Sequence, residues 1–314
     1  MHDLMIIGGG PAGMTAGLYA CRAGLKAAMV EKAAPGGMII NTDHIENYPG
    51  FPDGINGFEL AQLIEKQAVK FGLEIITARA GHINVETSSF SLTSKDNQAP
   101  IAQAKAVIIA SGTTPRSLKV PGHDAFIGKG VSYCGTCDGP LFKGKTVAVA
   151  GGGNSALEEA LFLTRFAEQV IIIHRRDELR ASDILKKRAF SNPKIKFVYN
   201  AVITAINGQK KIESVTLAPA PDKQIKTDVA VANNSIAVDG VFIFIGTTPN
   251  TTCIPDSVRT DSEGYIITDV EMKTSQAGIF AAGDVRSQSF RQVITACGDG
   301  ARAAFSAQHY LENL

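Results

Sequence analysis

The stretch Leu4-Met5-Ile6-Ile7-Gly8-Gly9-Gly10-Pro11-Ala12-Gly13 decides the fold. Four apolar residues run into a G-x-G-x-x-G, and Pro11 opens a pattern with Leu18, Cys21 and Leu25 at helical spacing. In a strand–turn–helix unit the first glycine allows the tight turn. The second lets backbone N–H groups approach a diphosphate, and the third lets helix and strand pack closely. The diphosphate then rests on the positive end of the helix dipole. The pattern predicts a strand over 4–8, a helix over 12–23 and a strand over 27–31.

The chain writes this signature twice. Val147-Ala148-Val149-Ala150 precedes Gly151-Gly152-Gly153-Asn154-Ser155-Ala156. A shift of 143 residues carries Gly8, Gly10 and Gly13 onto Gly151, Gly153 and Ala156, and Glu31 onto His174. A strand over 146–150, a helix over 154–166 and a strand over 169–173 follow. Each copy is trailed by a similar turn, Ser111-Gly112-Thr113-Thr114-Pro115 and Ile245-Gly246-Thr247-Thr248-Pro249, which supports an internal duplication. Elsewhere the pattern predicts a Gly-, Pro- and Asn-rich loop over 33–56, an amphipathic helix over 57–71 and short strands through 75–109. Strands near 195–206, 212–218 and 225–231 read as a β-meander. A buried strand covers 241–245, and a last helix runs over 291–312. The fold class is α/β, with two Rossmann-like three-layer dinucleotide-binding domains carrying β-meander insertions.

The residue ending the second strand of each unit separates the two cofactors. In the first unit it is Glu31, before Lys32. A carboxylate there accepts hydrogen bonds from ribose hydroxyls and repels a 2′-phosphate, which fits FAD or NAD. In the second unit the strand ends in His174-Arg175-Arg176, with Arg180 one turn on. Guanidinium forks suit a 2′-phosphate, so this site is expected to prefer NADPH to NADH.

Between the copies lies Cys134-Gly135-Thr136-Cys137-Asp138. A Cys-x-x-Cys is half of a zinc site or a redox pair. Zinc would need two further ligands, and no second Cys-x-x-Cys exists; the histidines His2, His44, His82, His123, His174 and His309 show no ligand spacing. The redox reading is therefore preferred, and no metal is expected. Asp138 could give and take the proton that thiol–disulfide exchange moves, or it could cap the turn Asp138-Gly139-Pro140. NADPH delivers two electrons as hydride while a disulfide opens by attack at sulfur, so a flavin between them is chemically required.

Composition narrows the class further. The 314 residues carry a net charge of +1, with 45% apolar and 19% charged residues, enough for two domains with real cores. No polybasic run points to nucleic acid or to an anionic membrane. No apolar run approaches the roughly 20 residues that span a bilayer. The first apolar stretch has no basic region before it and runs straight into glycines, so it reads as a strand and not a signal peptide. Five cysteines, an odd number of which only Cys134 and Cys137 are closely spaced, do not describe a secreted disulfide scaffold; the cytoplasm is the expected compartment.

These motifs, together with Ala282-Gly283-Asp284, Arg291-Gln292 and Gly298-Asp299-Gly300, resemble the low-molecular-weight, bacterial-type thioredoxin reductases over nearly the whole length. The resemblance implies a homodimer whose subunits reduce oxidised thioredoxin with NADPH through FAD and the Cys134/Cys137 pair. It implies an FAD domain over 1–114 and 246–314 and an NADPH domain over 115–245 that carries the dithiol. It also implies a swivel that presents the dithiol and the nicotinamide to the flavin in turn. The FAD site would comprise Gly8, Gly10, Pro11, Ala12, Gly13, Glu31, Lys32, Gly37, Met38, Asn47, Ala110, Ser111, Gly112, Gly283, Asp284, Arg291, Gln292 and Val293. The NADPH site would comprise Gly151, Gly153, Asn154, Ser155, Ala156, His174, Arg175, Arg176 and Arg180. Three positions depart from the family's usual residues: Met38 stands where Gln is common, Cys297 where Ala is common, and Gly135 where Ala is frequent. The alternative partner is a glutaredoxin-like or peroxidase-linked protein. The peroxidase-linked relatives usually carry an extra N-terminal region, for which the first fingerprint at Gly8 leaves no room.

Overall fold

The first strand, β1 (His2–Ile7), sets the pattern for the outer of two units. Its side chains alternate between faces. Leu4 and Ile6 join one core cluster, while Met5 and Ile7 join the other, so this strand is buried on both sides. The computed structural model describes residues 1–314 except Asp43, which falls in the expected 33–56 loop, and the side chain of Cys137.

The chain continues through α1 (Pro11–Arg22), β2 (Ala27–Glu31), a 3-10 turn over Gly37–Asn41, α2 (Gly57–Lys70) and β3 (Glu74–Thr77). Asn56 caps α2 by accepting the Phe58 N–H. A meander follows, β4 (Ala80–Val85), β5 (Phe90–Ser94) and β6 (Pro100–Ile109). The strand order is β3-β2-β1-β6-β5-β4. β3, β2, β1 and β6 run parallel, and the β4 and β5 pairings are antiparallel. A short strand β7 (Thr113–Pro115) then leaves the outer unit.

The internal unit, Pro115–Thr247, has its own sheet. It holds β8 (Val131–Ser132), α3 (Gly135–Asp138), β9 (Thr146–Gly151), α4 (Asn154–Leu163), β10 (Gln169–His174), α5 (Asp183–Phe190) and β11 (Ile195–Tyr199). Beyond these come β12 (Ala201–Gly208), β13 (Ile212–Pro219), β14 (Lys226–Thr227), β15 (Ser235–Ala237) and β16 (Gly240–Phe244). The sheet order is β14-β11-β10-β9-β16-β8, parallel except at β14. The duplication holds in register: Ile6 pairs with Met29 in the outer unit, and Val149 with Ile172 in the inner one. Both pairs obey the same 143-residue shift.

The meander differs from expectation. One strand was expected over 195–206, but Asn200 adopts a left-handed φ of 57° and splits it. β11 stays in the parallel sheet, whereas β12 turns into a separate antiparallel sheet β12-β13-β15. Of the strand expected over 225–231, only Lys226–Thr227 pairs, and it pairs with β11. The helix α5 was not foreseen.

The chain re-enters the outer unit at β17 (Thr247–Pro249), which pairs with β7, so both crossings lie in one two-stranded ribbon. Asn250 ties the outer end: its N–H donates to Gly112 O at 3.0 Å, and Thr114 Oγ1 donates to its Oδ1 at 2.7 Å. The division falls between Thr247 and Thr248, slightly later than the expected start at 246. A strand β18 (Ile279–Ala281) pairs with β6, and α6 (Val293–Glu312) closes the chain against α1.

Candidate functional site

The first glycine turn is built by close approach. A Cβ on Gly13 would collide with Gly8 O, and one on Gly8 with Ala110 O, so neither position has room for a side chain. The Gly9 N–H donates to Glu31 Oε2 at 2.7 Å, and the Lys32 N–H donates to Glu31 Oε1 at 2.7 Å. The Ala33 N–H also donates to Oε1, at 3.4 Å, so Oε2 is the oxygen that keeps a lone pair for a ribose hydroxyl. The cradle and its acid thus suit a dinucleotide without a 2′-phosphate. Gly36 N–H donates to Gly9 O at 2.7 Å, which brings the Gly37 turn over the fingerprint. Gly37 (φ 63°) packs on Gly10, while Met38, on the same 3-10 turn, is largely exposed.

The C-terminal ends of β1, β6 and β18 converge beside this turn, the usual ligand edge of an open α/β sheet. Ala110 N–H donates to Ile7 O, and Ala282 N–H to Ile109 O, which brings Ala110, Ser111 and Gly283 to that edge. Gly283 would meet Ala12 if it carried a Cβ, so the Ala-Gly-Asp turn lies on the start of α1. Burial pushes the Asp284 carboxyl above its ordinary range; Arg291 pulls it down and Asp299 pushes it up. Asp299 of α6 accepts from Gly283 N–H at 3.1 Å and from Arg286 Nε at 3.0 Å, and both ion-pair side chains are 14% exposed. Arg286 also donates to Thr268 Oγ1 at 2.6 Å. Sequence reading assigned neither Asp299 nor Arg286 a role, because their meeting depends on how α6 returns to the sheet. Asn47 Nδ2 donates to Gln292 Oε1 at 2.8 Å, linking the loop after the 3-10 turn to the residue before Val293, where α6 begins. Arg291 instead stacks its guanidinium 4.5 Å from the Tyr265 ring centroid. Cys297 lies at the same place, its Sγ 4.0 Å from Pro11 O. It accepts the Tyr48 hydroxyl at 3.9 Å. Burial and then Cys297 push the Tyr48 phenol up to about 12.

The second glycine turn repeats the first with different side chains. Arg180 N–H donates to Gly152 O at 2.7 Å, the counterpart of the Gly36–Gly9 bond. The His174 ring takes the place of the Glu31 carboxylate and packs so tightly on Gly152 that a Cβ there would meet it. His174 is 5% exposed, and its Nε2 is a buried atom with no partner among the described residues. Burial first, and then the charges of Arg180, Arg176 and Arg175, hold its pKa below the ordinary value. All three guanidinium groups therefore act on one exposed rim. An orphaned ring nitrogen beneath three cations fits a phosphorylated ligand. Gly153 is the residue before α4, which opens with Asn154, Ser155 and Ala156; Asn154 Oδ1 accepts the Ser182 N–H at 2.8 Å and so braces the Arg180 loop.

The Cys-x-x-Cys lies in this internal unit. Cys134 is disulfide-bonded and precedes α3, which contains Gly135, Thr136, the Cys137 backbone and Asp138. The Cys137 side chain falls outside the described residues. The Asp138 N–H donates to Cys134 O at 3.2 Å. Ser132 Oγ, 5% exposed, accepts from Cys134 N–H at 3.0 Å and donates to Cys134 O at 3.1 Å. Gly135 N–H donates to Glu159 Oε2 at 2.9 Å. Ser132 carried no signal in the sequence, and Glu159, which closes the stretch Gly151 to Glu159 that bears the family resemblance, had no role assigned. Among the described residues no group of three potential metal ligands assembles, and no helix is long and apolar enough to cross a membrane.

Comparison with known proteins gives a consistent result. The family model "Pyridine nucleotide-disulphide oxidoreductase" matches residues 2–300. A thioredoxin reductase of Treponema pallidum is 45% identical over 313 residues, covering 100% of this chain and 98% of the relative. The solved thioredoxin reductase of Lactococcus lactis is 40% identical with a TM-score of 0.92, covering all of both chains. That of T. acidophilum is 36% identical with a TM-score of 0.88, covering 99% of this chain and 98% of the other.

Proposed function

Because the chain belongs to the pyridine nucleotide-disulphide oxidoreductase family, we propose that it is an NADPH-dependent reductase of a protein disulfide, with oxidised thioredoxin as its substrate. The carrying observation is the pairing of two unlike dinucleotide turns, one closed by Glu31 and one by His174 under three arginines, with a disulfide-bonded Cys134.

In this reading Glu31 accepts the ribose hydroxyls of FAD, and the turn from Gly8 to Gly13 takes its diphosphate at the N-terminus of α1. FAD, when bound, supplies the two-electron carrier that accepts hydride and passes the pair to sulfur. Gly283, which packs on Ala12 and donates to Asp299, sets the adjoining Asp284 beside the same end of α1. Arg175, Arg176 and Arg180 grip the 2′-phosphate of NADPH, and the neutral His174 ring orients the adjoining ribose. Cys134 and Cys137 then exchange with the substrate disulfide, and Asp138 gives and takes the proton. The donor NADPH and the acceptor disulfide use one flavin, so we assign the internal unit a rotation about its two crossings that presents them in turn. The homodimer reading is supported by the exposed apolar side chains Tyr19, Phe58, Leu63 and Phe71 on and beside α1 and α2. The cytoplasmic reading is supported by the free thiols Cys21, Cys253 and Cys297.

The test is direct. Cys134→Ser and Cys137→Ser should each lose disulfide turnover with thioredoxin while the bound flavin still bleaches on adding NADPH. If either variant kept wild-type turnover, the dithiol would not lie on the route.

A further inference from the structure

We propose that Glu159 is a positioning residue that disfavours a thiolate on Cys134 and so makes the dithiol a stronger reductant. The inference rests on the dithiol reading above and adds a tuning group to it.

Cys134 is held by its backbone. Ser132 Oγ bonds both its N–H and its carbonyl, and the Asp138 N–H takes the same carbonyl. The Cys134 backbone is thereby fixed at the opening of α3. A cysteine at a helix opening ordinarily gains from unpaired N–H groups and ionises more easily. Here the first of those groups is already occupied, because Gly135 N–H donates to Glu159 Oε2 at 2.9 Å. Gly135 has no side chain where the carboxylate sits, and a Cβ built there would collide with Oε2. Gly135 and Glu159 are a matched pair: the missing side chain admits the carboxylate to the backbone.

One effect on sulfur follows. The Glu159 carboxylate stands against the Gly135 amide, which is joined to the Cys134 side chain through only the carbonyl and α carbons, so its negative charge opposes a thiolate there. Reduction of the pair breaks the S–S bond, adds two electrons and adds two protons, or one where a sulfur stays ionised. Penalising the ionised form raises the free energy of the reduced state, so the dithiol gives up its electrons more readily. Asp138, at the far end of the same helix, is the other acid of this segment and is retained in every variant below.

The experiment uses the full-length flavoprotein. In the single-thiol Cys137→Ser background, the pH profile of Cys134 alkylation by iodoacetamide reports thiolate formation. Glu159→Gln keeps an acceptor for the Gly135 N–H but removes the charge, and Gly135→Ala displaces the carboxylate. Both should lower the midpoint by about one pH unit, the effect of one adjacent charge, while the exposed neighbour Glu158→Gln leaves it in place. With both cysteines present, equilibration with dithiothreitol, which is oxidised to its cyclic disulfide, should shift toward the dithiol by about threefold at pH 9 and much less at pH 6. Unchanged midpoints in both variants would overturn the role of Glu159 and leave the dithiol reading standing. If dithiothreitol released no alkylatable thiol at Cys134 in the wild-type chain, the dithiol reading would fall and take this proposal with it.

Discussion

At the scale of the residue, the two nucleotide turns differ by what stands on the second strand, and that difference is testable. Arg175→Ala with Arg176→Ala should raise the KM for NADPH at least tenfold, consistent with losing charge-assisted bonds of about 1.5–3 kcal/mol each, while the KM for NADH stays within about twofold. Equal effects on both would show that these arginines do not hold a 2′-phosphate. Asp284 gives a pH-dependent prediction. Burial raises its carboxyl in the folded chain, so the folded state holds its proton more tightly than the unfolded state. The associated stability is present below the ordinary carboxylate range and is lost as pH rises through the elevated value. In protein freed of flavin, Asp284→Asn should therefore melt higher than wild type at pH 7 and converge with it at pH 3. A variant that melted lower at pH 7 would contradict the sign. The chemistry of Glu31, Arg175 and Cys134 was legible because motif spacing names such residues. Asp299 and Glu159 were not, since each acts on a backbone N–H of a segment distant in sequence, Gly283 and Gly135.

At the scale of the element, α1 and α6 meet so closely that a Cβ on Gly300 would strike the Ala12 carbonyl. The opposing atom is backbone and cannot rotate away. Gly300→Ala should cost about 1–3 kcal/mol and shift the start of α1, the part that receives the diphosphate. A lower melting temperature together with weaker flavin retention, read from absorbance after dialysis, is the expected result; unchanged retention would separate the contact from the site. Sequence periodicity located α1, α2, α4 and α6 because their buried faces repeat at helical spacing. It passed over α5, whose segment Asp183–Phe190 is short and largely charged, with only Leu185 and Ala189 buried. It also ran β11 and β12 together, since both are apolar and only the backbone reversal at Asn200 divides them.

At the scale of the whole molecule, the duplication makes two sheets with separate cores, and the internal unit is an insertion whose two ends share one ribbon. Replacing Pro115–Thr247 with a short Gly-Ser link between Thr114 and Thr248 should leave a folded, yellow protein that NADPH does not bleach. A colourless or aggregated product would mean that the outer unit depends on its insertion. The two-unit plan was readable from the paired fingerprints and the repeated Thr-Thr-Pro turns, whereas the size of each antiparallel insertion was not. The helix α6, twenty residues long, bears on how the chain comes into being. Emerging from the ribosome, the inserted unit is complete once Thr247 has cleared, with its sheet and both faces covered. The outer unit began first and must wait. Until β18 lines β6, and α6 delivers Asp299 to Gly283 and its alanines to α1, the opening segments lack one wall. The nascent polypeptide should thus mature from its middle outward, capturing flavin only once α6 has emerged and packed.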